Sequence, residues 1–183
     1  SIEVVQEVKQ LNEGDYKKEL EDYRIKNIIK LNRIVSRVDT MLYILENTTQ
    51  IDFDTVATKK IELFIPPSNS KRNTYISRYE DLARPEYATR FNVTISSDRL
   101  NDMYTFSKYG LDSVSKLHSN FSYRNFQSDL IKAFDYDEKM KYTIIIVAMK
   151  FTLPKINEYL GSYDSYKRGV CYETAFVFES KST

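Results

Sequence analysis

The sequence is poor in the residues from which catalytic and metal centres are built. It has one histidine, one cysteine, four glycines and no tryptophan in 183 residues. A single histidine excludes zinc and iron sites made of several histidines, and a single cysteine excludes an intrachain disulfide and a multi-cysteine zinc site. The four glycines never cluster, so the glycine-rich loops that cradle phosphate groups are absent. These absences predict a non-enzymatic protein without a cofactor and without a metal.

The remaining reactive residues lie where structural roles are favoured. A Ser-His-Asp triad would need His118 as its base, but no nucleophile-elbow motif accompanies it, and we expect a surface helix at this position. Cys171 lies in a strand pattern, which favours a packed and inert thiol. The acidic groups at 52–54 and 135–138 lack the glycine and the spacing of a calcium loop, which indicates solvated turns.

Charge and hydropathy set further limits. The 27 Lys and Arg residues balance 26 Asp and Glu residues, so no global attraction toward nucleic acid or an anionic membrane is expected. Hydrophobic residues at 42% and charged residues at 29% are typical of a folded protein. The longest apolar run, from Tyr142 to Met149, is much shorter than the roughly 20 residues that cross a bilayer. We predict no membrane span within the chain.

The first quarter of the chain is rich in helix-forming residues. From Tyr16 to Asn47 there is no glycine or proline, and Asp15 can cap the start, which predicts one long helix. An apolar seam near the heptad spacing runs along its second half: Ile28, Leu31, Val35, Val38, Leu42 and Leu45. Further apolar residues beside the seam, Ile25 and Ile29 among them, make the band too wide for a two-stranded coiled coil. We therefore assign the band mainly to the protein's own core.

Four segments have the apolar patterns of strands. They are centred on 61–65, 91–96, 142–153 and 169–180. The segment 142–153 is apolar on both faces, as expected of a central strand, whereas 91–96 has one polar face and favours antiparallel pairing. Between the strands, helices are predicted at 74–82, at 98–109 with Gly110 at its end, and at 112–134.

These elements predict an α+β fold in the order αββαββ. A long N-terminal helix accompanies a mostly antiparallel sheet of about four strands with helices on one face. In element order alone this is similar to ferredoxin-like and related sandwich domains, including the ring-building domains of bacterial secretion and pilus assemblies. We expect a helical segment at 1–48 that packs on an α+β domain at 49–183, forming a single folding unit.

Two stretches are the candidate interaction surfaces. The first half of the long helix is more polar than a self-contained domain requires, and residues 71–90 interleave tyrosines with basic residues, as single-strand-binding surfaces do. The candidate contact residues are Tyr16, Glu19, Tyr23 and Arg24 in the first stretch and Arg72, Tyr75, Arg78 and Tyr79 in the second.

The leading functional hypothesis is a non-enzymatic protein–protein interaction or assembly module. Its partner is another protein or a second copy, and its setting is the soluble part of a membrane-anchored envelope, secretion or pilus-type complex. The chain begins at Ser1 without methionine, as a fragment released from a signal or anchor segment would, so an extracytoplasmic location is favoured over a cytoplasmic one. The alternatives are an extracytoplasmic small-ligand sensor with a tyrosine-lined pocket and, less favoured, a single-stranded nucleic-acid-binding protein that uses residues 71–90.

Overall fold

A computed structural model describes residues 11–47, 73–84, 100–118, 120–152, 155–156, 166–167 and 170–180. The elements are α1 (Glu13–Lys26), α2 (Ile28–Asn47), β1 (Thr74–Arg78), α3 (Tyr79–Ala83), α4 (Leu100–Tyr109), α5 (Leu111–Leu117), α6 (Tyr123–Asp137), β2 (Tyr142–Thr152), β3 (Lys155–Ile156), β4 (Tyr166–Lys167) and β5 (Val170–Glu179). This mixture of helices and strands confirms the α+β class. The strands predicted at 61–65 and 91–96 lie outside the described residues.

The N-terminal helix begins earlier than predicted and is interrupted. Asn12, not Asp15, is the N-cap: its side chain accepts from the Asp15 backbone N–H, and the Asp15 carboxylate accepts from the Asn12 N–H, each at 3.0 Å. This reciprocal capping box satisfies two donors that would otherwise lack partners. At Asn27, with φ −110° and ψ 19°, regular helix geometry stops for one residue. The prediction of one uninterrupted helix is therefore wrong.

The interruption at Asn27 changes the local backbone geometry without ending the helical hydrogen bonding. The Asn27 side chain and its backbone N–H both donate to the Tyr23 carbonyl, at 2.9 and 3.0 Å. After Asn27, the Leu31 N–H donates to the Asn27 carbonyl at 3.0 Å. An asparagine side chain that competes for a backbone carbonyl is a known cause of irregular helix geometry. We call the junction of α1 and α2 the elbow.

One face of α2 fills the core, as the sequence predicts. Five of its residues are buried: Leu31, Ile34, Val38, Met41 and Leu42. Val35 and Leu45 pack against this cluster while remaining half-buried. Ile28, the first residue of the predicted seam, is instead exposed. α2 packs mainly on α4, so the opposite face of α2 points away from the core.

Residues 74–78 form a strand, so the helix predicted over 74–82 is wrong in its first half. β1 contains the β-branched and aromatic residues Thr74, Tyr75 and Ile76, which favour extended structure. It pairs in parallel with β2, with Ile76 opposite Ile144. Only the short helix α3 follows, and it ends before Pro85, as expected of a residue that precedes proline.

The helices after residue 100 are partly as predicted. α4 ends before Gly110, whose φ of +88° favours glycine and marks the boundary between α4 and α5. The single helix predicted over 112–134 is wrong, because the chain leaves helical geometry after Leu117. Ser122 then caps α6 by accepting from the Asn125 N–H, so the helix restarts where a good N-cap residue is available.

The described sheet has three strands in the order β1-β2-β5. β2 is central, as predicted: it is parallel to β1 and antiparallel to β5, with Tyr142 opposite Glu179. Ile144 and Ile145 point to opposite faces and both are buried. From Glu173 to Glu179, β5 alternates between exposed and half-buried residues, in agreement with its predicted half-buried character. β3 and β4 form a separate two-stranded ribbon. A four-stranded, mostly antiparallel sheet and the ferredoxin-like order are not confirmed.

A single cluster of buried side chains connects these elements. It includes Leu20 from α1, Leu31 from α2, Tyr75 from β1, Phe106 from α4 and Ile145 from β2. The helices before residue 48 and those after it therefore pack into the same apolar core as the sheet.

Candidate interaction surface

α1 is held against the body by polar contacts around a small apolar centre. Leu20 is its one buried residue, and the Tyr23 ring packs on Phe134 of α6, with centroids 5.7 Å apart. The Glu13 carboxylate accepts from the Tyr123 N–H at 2.8 Å and so caps α6 together with Ser122. A carboxylate at a helix N-terminus is stabilised by the helix dipole. The first turn of α1 is thereby fixed to the start of α6.

The four candidate residues of α1 face this packing. The Gln127 amide donates to Glu19 at 2.6 Å, and Tyr23 lies against α6, where burial and then the Asp135 charge raise its pKa. The Arg24 guanidinium lies beside Gly110, 3.6 Å from where a β-carbon would stand. Tyr16 is half-buried. Glu19 and Tyr23 thus make contacts inside the chain, and the role of all four residues toward a partner stays a prediction.

The second set of candidate residues is also engaged inside the chain where the structure describes it. The buried Tyr75 donates its hydroxyl to Asp137 at 3.1 Å. Arg78 pairs with Glu173 of β5 at 3.2 Å. Tyr79 donates to Glu46 at 3.0 Å, and burial followed by this bond raises its pKa. Arg72 lies outside the described residues. The structure does not bring the two candidate sets together as one surface.

The elbow carries an exposed apolar group that the sequence interpretation assigned to the core. Ile25 is 72% exposed, Ile29 is 71% exposed and Ile28 is 46% exposed. Single exposed apolar residues are common, whereas these three neighbouring isoleucines form one exposed apolar group. We call Ile25, Ile28 and Ile29 the elbow surface. The signal was present in the sequence, because Ile25 and Ile29 are four residues apart and lie outside the Leu31–Val38–Leu42 stripe.

A shallow, open groove continues from the elbow along the same outward side of α2. Its lining from α2 is mostly polar: Asn32, Val35, Ser36, Asp39, Thr40 and Tyr43. These positions recur every three or four residues, so they form one helix face. The outward side of α2 is therefore apolar at its beginning and hydrogen-bonding further along, and the Tyr43 ring, 66% exposed, lies at its far end.

At the edge of this groove lies a cluster of three ionisable groups. Asp39 Oδ1 accepts from the Tyr104 hydroxyl at 2.5 Å and from Lys108 Nζ at 2.7 Å, and Lys108 also bonds the Tyr104 oxygen at 2.8 Å. Burial and then the bond to Asp39 raise the pKa of Tyr104 to about 12. Burial acts to lower the pKa of Lys108, but its bonds to Asp39 and Tyr104 outweigh burial and raise it.

The Asp39 carboxyl completes this cluster. Burial acts to raise its pKa, yet the bonds from Lys108 and Tyr104 and the Lys108 charge together hold it below its ordinary value. At neutral pH Asp39 is therefore ionised, Tyr104 is neutral and Lys108 is charged. None of the three exchanges a proton near pH 7, so the cluster joins α2 to α4 and is poorly suited to general acid–base catalysis.

Other reactive side chains have structural contacts. His118 Nε2 lies 3.1 Å from Asp102 Oδ1, and its ring stacks on Phe121. Within the described ranges, no group of three or more His, Cys, Asp or Glu residues is arranged to hold a metal ion. Across the same part of the chain, no helix combines the length and the apolar character needed to cross a membrane.

Comparison of the chain with protein-family models, with curated proteins and with solved structures finds no match.

Proposed function

We propose that this chain is a non-enzymatic protein–protein interaction module and that the elbow surface is where it binds. The observation that carries the proposal is the exposure of Ile25, Ile28 and Ile29 on a helix pair whose other apolar side is packed into the core. Burying an exposed isoleucine against a partner contributes roughly 1.5–3 kcal/mol. A partner that covers the elbow surface therefore gains binding energy from residues that contribute little to the core.

Two further features support an interaction role over catalysis. The elbow lies between two helices whose inner faces pack on the body of the protein, so its exposed side chains are presented from defined secondary structure. In the ionisable cluster beside the groove, Asp39 is ionised, Tyr104 is neutral and Lys108 is charged at neutral pH, so none of the three is set to exchange a proton there. The setting in an envelope, secretion or pilus-type assembly stays a prediction.

The proposal is tested by site-specific photo-crosslinking in cells that produce the chain. A photoreactive residue at position 25 or 29 is expected to give discrete crosslinked species, and Ile29→Lys in the chain labelled at position 25 is expected to remove them. The matched control is a photoreactive residue at Val177, which is 45% exposed on β5, away from the helix pair. Equal crosslinking from all three positions, or none from 25 and 29, would exclude the elbow as a binding surface.

The small-ligand sensor remains a second candidate, because the groove along α2 favours it. This groove is shallow and open, but Asn32, Ser36 and Asp39 offer hydrogen-bonding groups to a small ligand. A metabolite library screened by thermal shift tests it. A ligand that binds here should lose its effect in Ser36→Leu, which fills the groove, whereas Val177→Lys should keep it.

The nucleic-acid alternative receives no support from the described part of residues 71–90. The Tyr75 ring is buried and cannot stack on a base in this conformation. The Arg78 charge is paired with Glu173, which lowers its availability for phosphate.

A further inference from the structure

We propose that the elbow surface binds the elbow surface of a second copy of this chain in an antiparallel arrangement. The inference rests on the proposed function, since it names the partner of the same surface. It is carried by the order of apolar and charged residues across the elbow. When a second copy is rotated by 180°, its residues in this order face complementary residues of the first copy.

The helical path is continuous enough across the elbow for its faces to be compared. The Asn27 N–H donates to the Tyr23 carbonyl and the Leu31 N–H donates to the Asn27 carbonyl, so the four-residue hydrogen-bond spacing of an α-helix is kept on both sides of Asn27. Ile25 and Ile29, four residues apart, therefore lie on one face. Asp22 and Arg33 are eleven residues apart, close to three full turns of an ideal helix, a spacing that would place them along one line at the edge of that face.

A two-fold axis beside Asn27 pairs these residues with one another. The midpoint of Ile25 and Ile29 is residue 27, so Ile25 of one copy meets Ile29 of the other, and the reverse contact forms at the same time. The midpoint of Asp22 and Arg33 falls half a residue further along, within about 1 Å of the same axis at a rise of about 1.5 Å per residue. Each Asp22 then faces an Arg33 of the second copy, so two ion pairs flank four isoleucines.

Asp22 and Arg33 are available for ion pairs with an external partner, as the exposed Lys18 and Lys26 on the same helix pair also are. The neighbouring cations Lys17, Lys30 and Arg37 pair with Asp112, Glu138 and Asp137 of the same chain. In contrast, Asp22 and Arg33 are exposed and make no ion pair with any residue that the structure describes. Opposite charges at matching distances from the axis suit an isologous contact, in which each copy supplies both signs.

The size of the contact sets the strength that we expect. The elbow surface covers much less than the roughly 800 Å² per partner that is typical of stable complexes, so the dimer should be weak and concentration-dependent. We expect a dissociation constant of roughly 0.1–1 mM for the purified chain. The contact would act in assembly, where many copies are held close together and the effective concentration is high.

The test is sedimentation equilibrium of the purified full chain at concentrations up to about 1 mM, within the expected range. Asp22→Arg places like charges opposite each other at two symmetric sites, so the dissociation constant should rise about tenfold. Arg33→Glu should do the same. The double variant Asp22→Arg with Arg33→Glu reverses both charges and should return the constant to within about threefold of the wild type.

Three further results decide the proposal. Ile29→Lys should abolish the dimer, and Val177→Lys on β5 should leave its dissociation constant unchanged; circular dichroism verifies that each variant is folded. A wild-type chain that stays monomeric throughout, or a double variant weaker than both single variants, overturns self-pairing. If the chain is monomeric but position 29 still crosslinks to a different protein in cells, the proposed interaction role stands and only the identity of its partner is wrong.

Discussion

Removing the charge of Asp137 should lower the stability of the fold strongly with little change in side-chain shape. It lies at the end of α6, and its carboxylate accepts from Arg37 of α2 at 2.6 and 3.4 Å and from the Tyr75 hydroxyl at 3.1 Å. One side chain thus connects α6, α2 and β1. The substitution Asp137→Asn keeps the shape, removes the charge and leaves one carbonyl oxygen to accept hydrogen bonds.

The burial of these groups sets the size of the effect. The Asp137 and Arg37 side chains are 12% and 23% exposed, and Tyr75 is 1% exposed. Breaking a fully buried ion pair costs about 3–5 kcal/mol, whereas an exposed pair is worth about 0–1 kcal/mol. The bond from a buried hydroxyl to a charged acceptor adds about 1.5–3 kcal/mol, part of which the asparagine carbonyl retains. We expect Asp137→Asn to lower the free energy of unfolding by about 2–3 kcal/mol.

Urea unfolding followed by circular dichroism measures this change. Asp135→Asn is the matched control, because Asp135 is exposed on the same helix and should change the free energy of unfolding by less than about 0.5 kcal/mol. Tyr75→Phe should cost about 1–1.5 kcal/mol alone, and less in the Asp137→Asn background, because the two residues share a bond. Equal losses for Asp135→Asn and Asp137→Asn, or strict additivity of Tyr75→Phe, would refute this account of the network.

Three more predictions concern the core, the acidic limb of stability and a glycine. Thr143 is fully buried in β2 and its hydroxyl has no hydrogen-bond partner among the described residues, so Thr143→Val should raise the free energy of unfolding by about 1 kcal/mol; a loss in urea unfolding would show that the hydroxyl is bonded. The pKa of Asp39 is lower in the folded protein than the unfolded value of about 3.9, so ionised Asp39 stabilises the fold above that value and the contribution is lost as pH falls through the lower folded pKa. Asp39→Asn should therefore flatten the decline in the free energy of unfolding between about pH 4 and pH 2. Parallel acid-unfolding curves for the variant and the wild type would contradict this prediction. At Gly110, φ of +88° disfavours any β-carbon, so Gly110→Ala should cost about 1–3 kcal/mol, and an unchanged melting temperature would mean that the backbone relaxes easily.

Elements with strong local signals could be predicted from the sequence, and those that depend on distant contacts could not. β2 is apolar on both faces and Gly110 must adopt a positive φ, so both were identified from local pattern alone. β1 has only five residues and is held by parallel pairing with a strand more than sixty positions later, which its own sequence does not reveal. The interruption at Asn27 depends on how one side chain bonds the Tyr23 carbonyl, and neither glycine nor proline marks it.

The candidate surface shows the same limit. The sequence places Ile25 and Ile29 in a wide apolar band, and a band of that width is normally covered on all of its apolar positions. Which part stays uncovered depends on where α4 and α6 lie, and these helices contact α2 and α1 on the other side. The polar first turns of α1 looked available for a partner, but Glu13, Glu19 and Lys17 contact α6 and α5 instead.

The elbow joins two helices that are anchored very unequally. α2 buries five residues in the core, whereas α1 buries one, Leu20, and is otherwise held by a ring contact and surface polar bonds. Segments with few buried contacts open locally at a free energy well below that of global unfolding, and their amide hydrogens exchange early. A second copy bound across the elbow would contact both helices and disfavour opening of the weaker one. Association and the local order of α1 would then be linked, so that amide exchange in α1, but not in α2, would slow as the protein concentration rises.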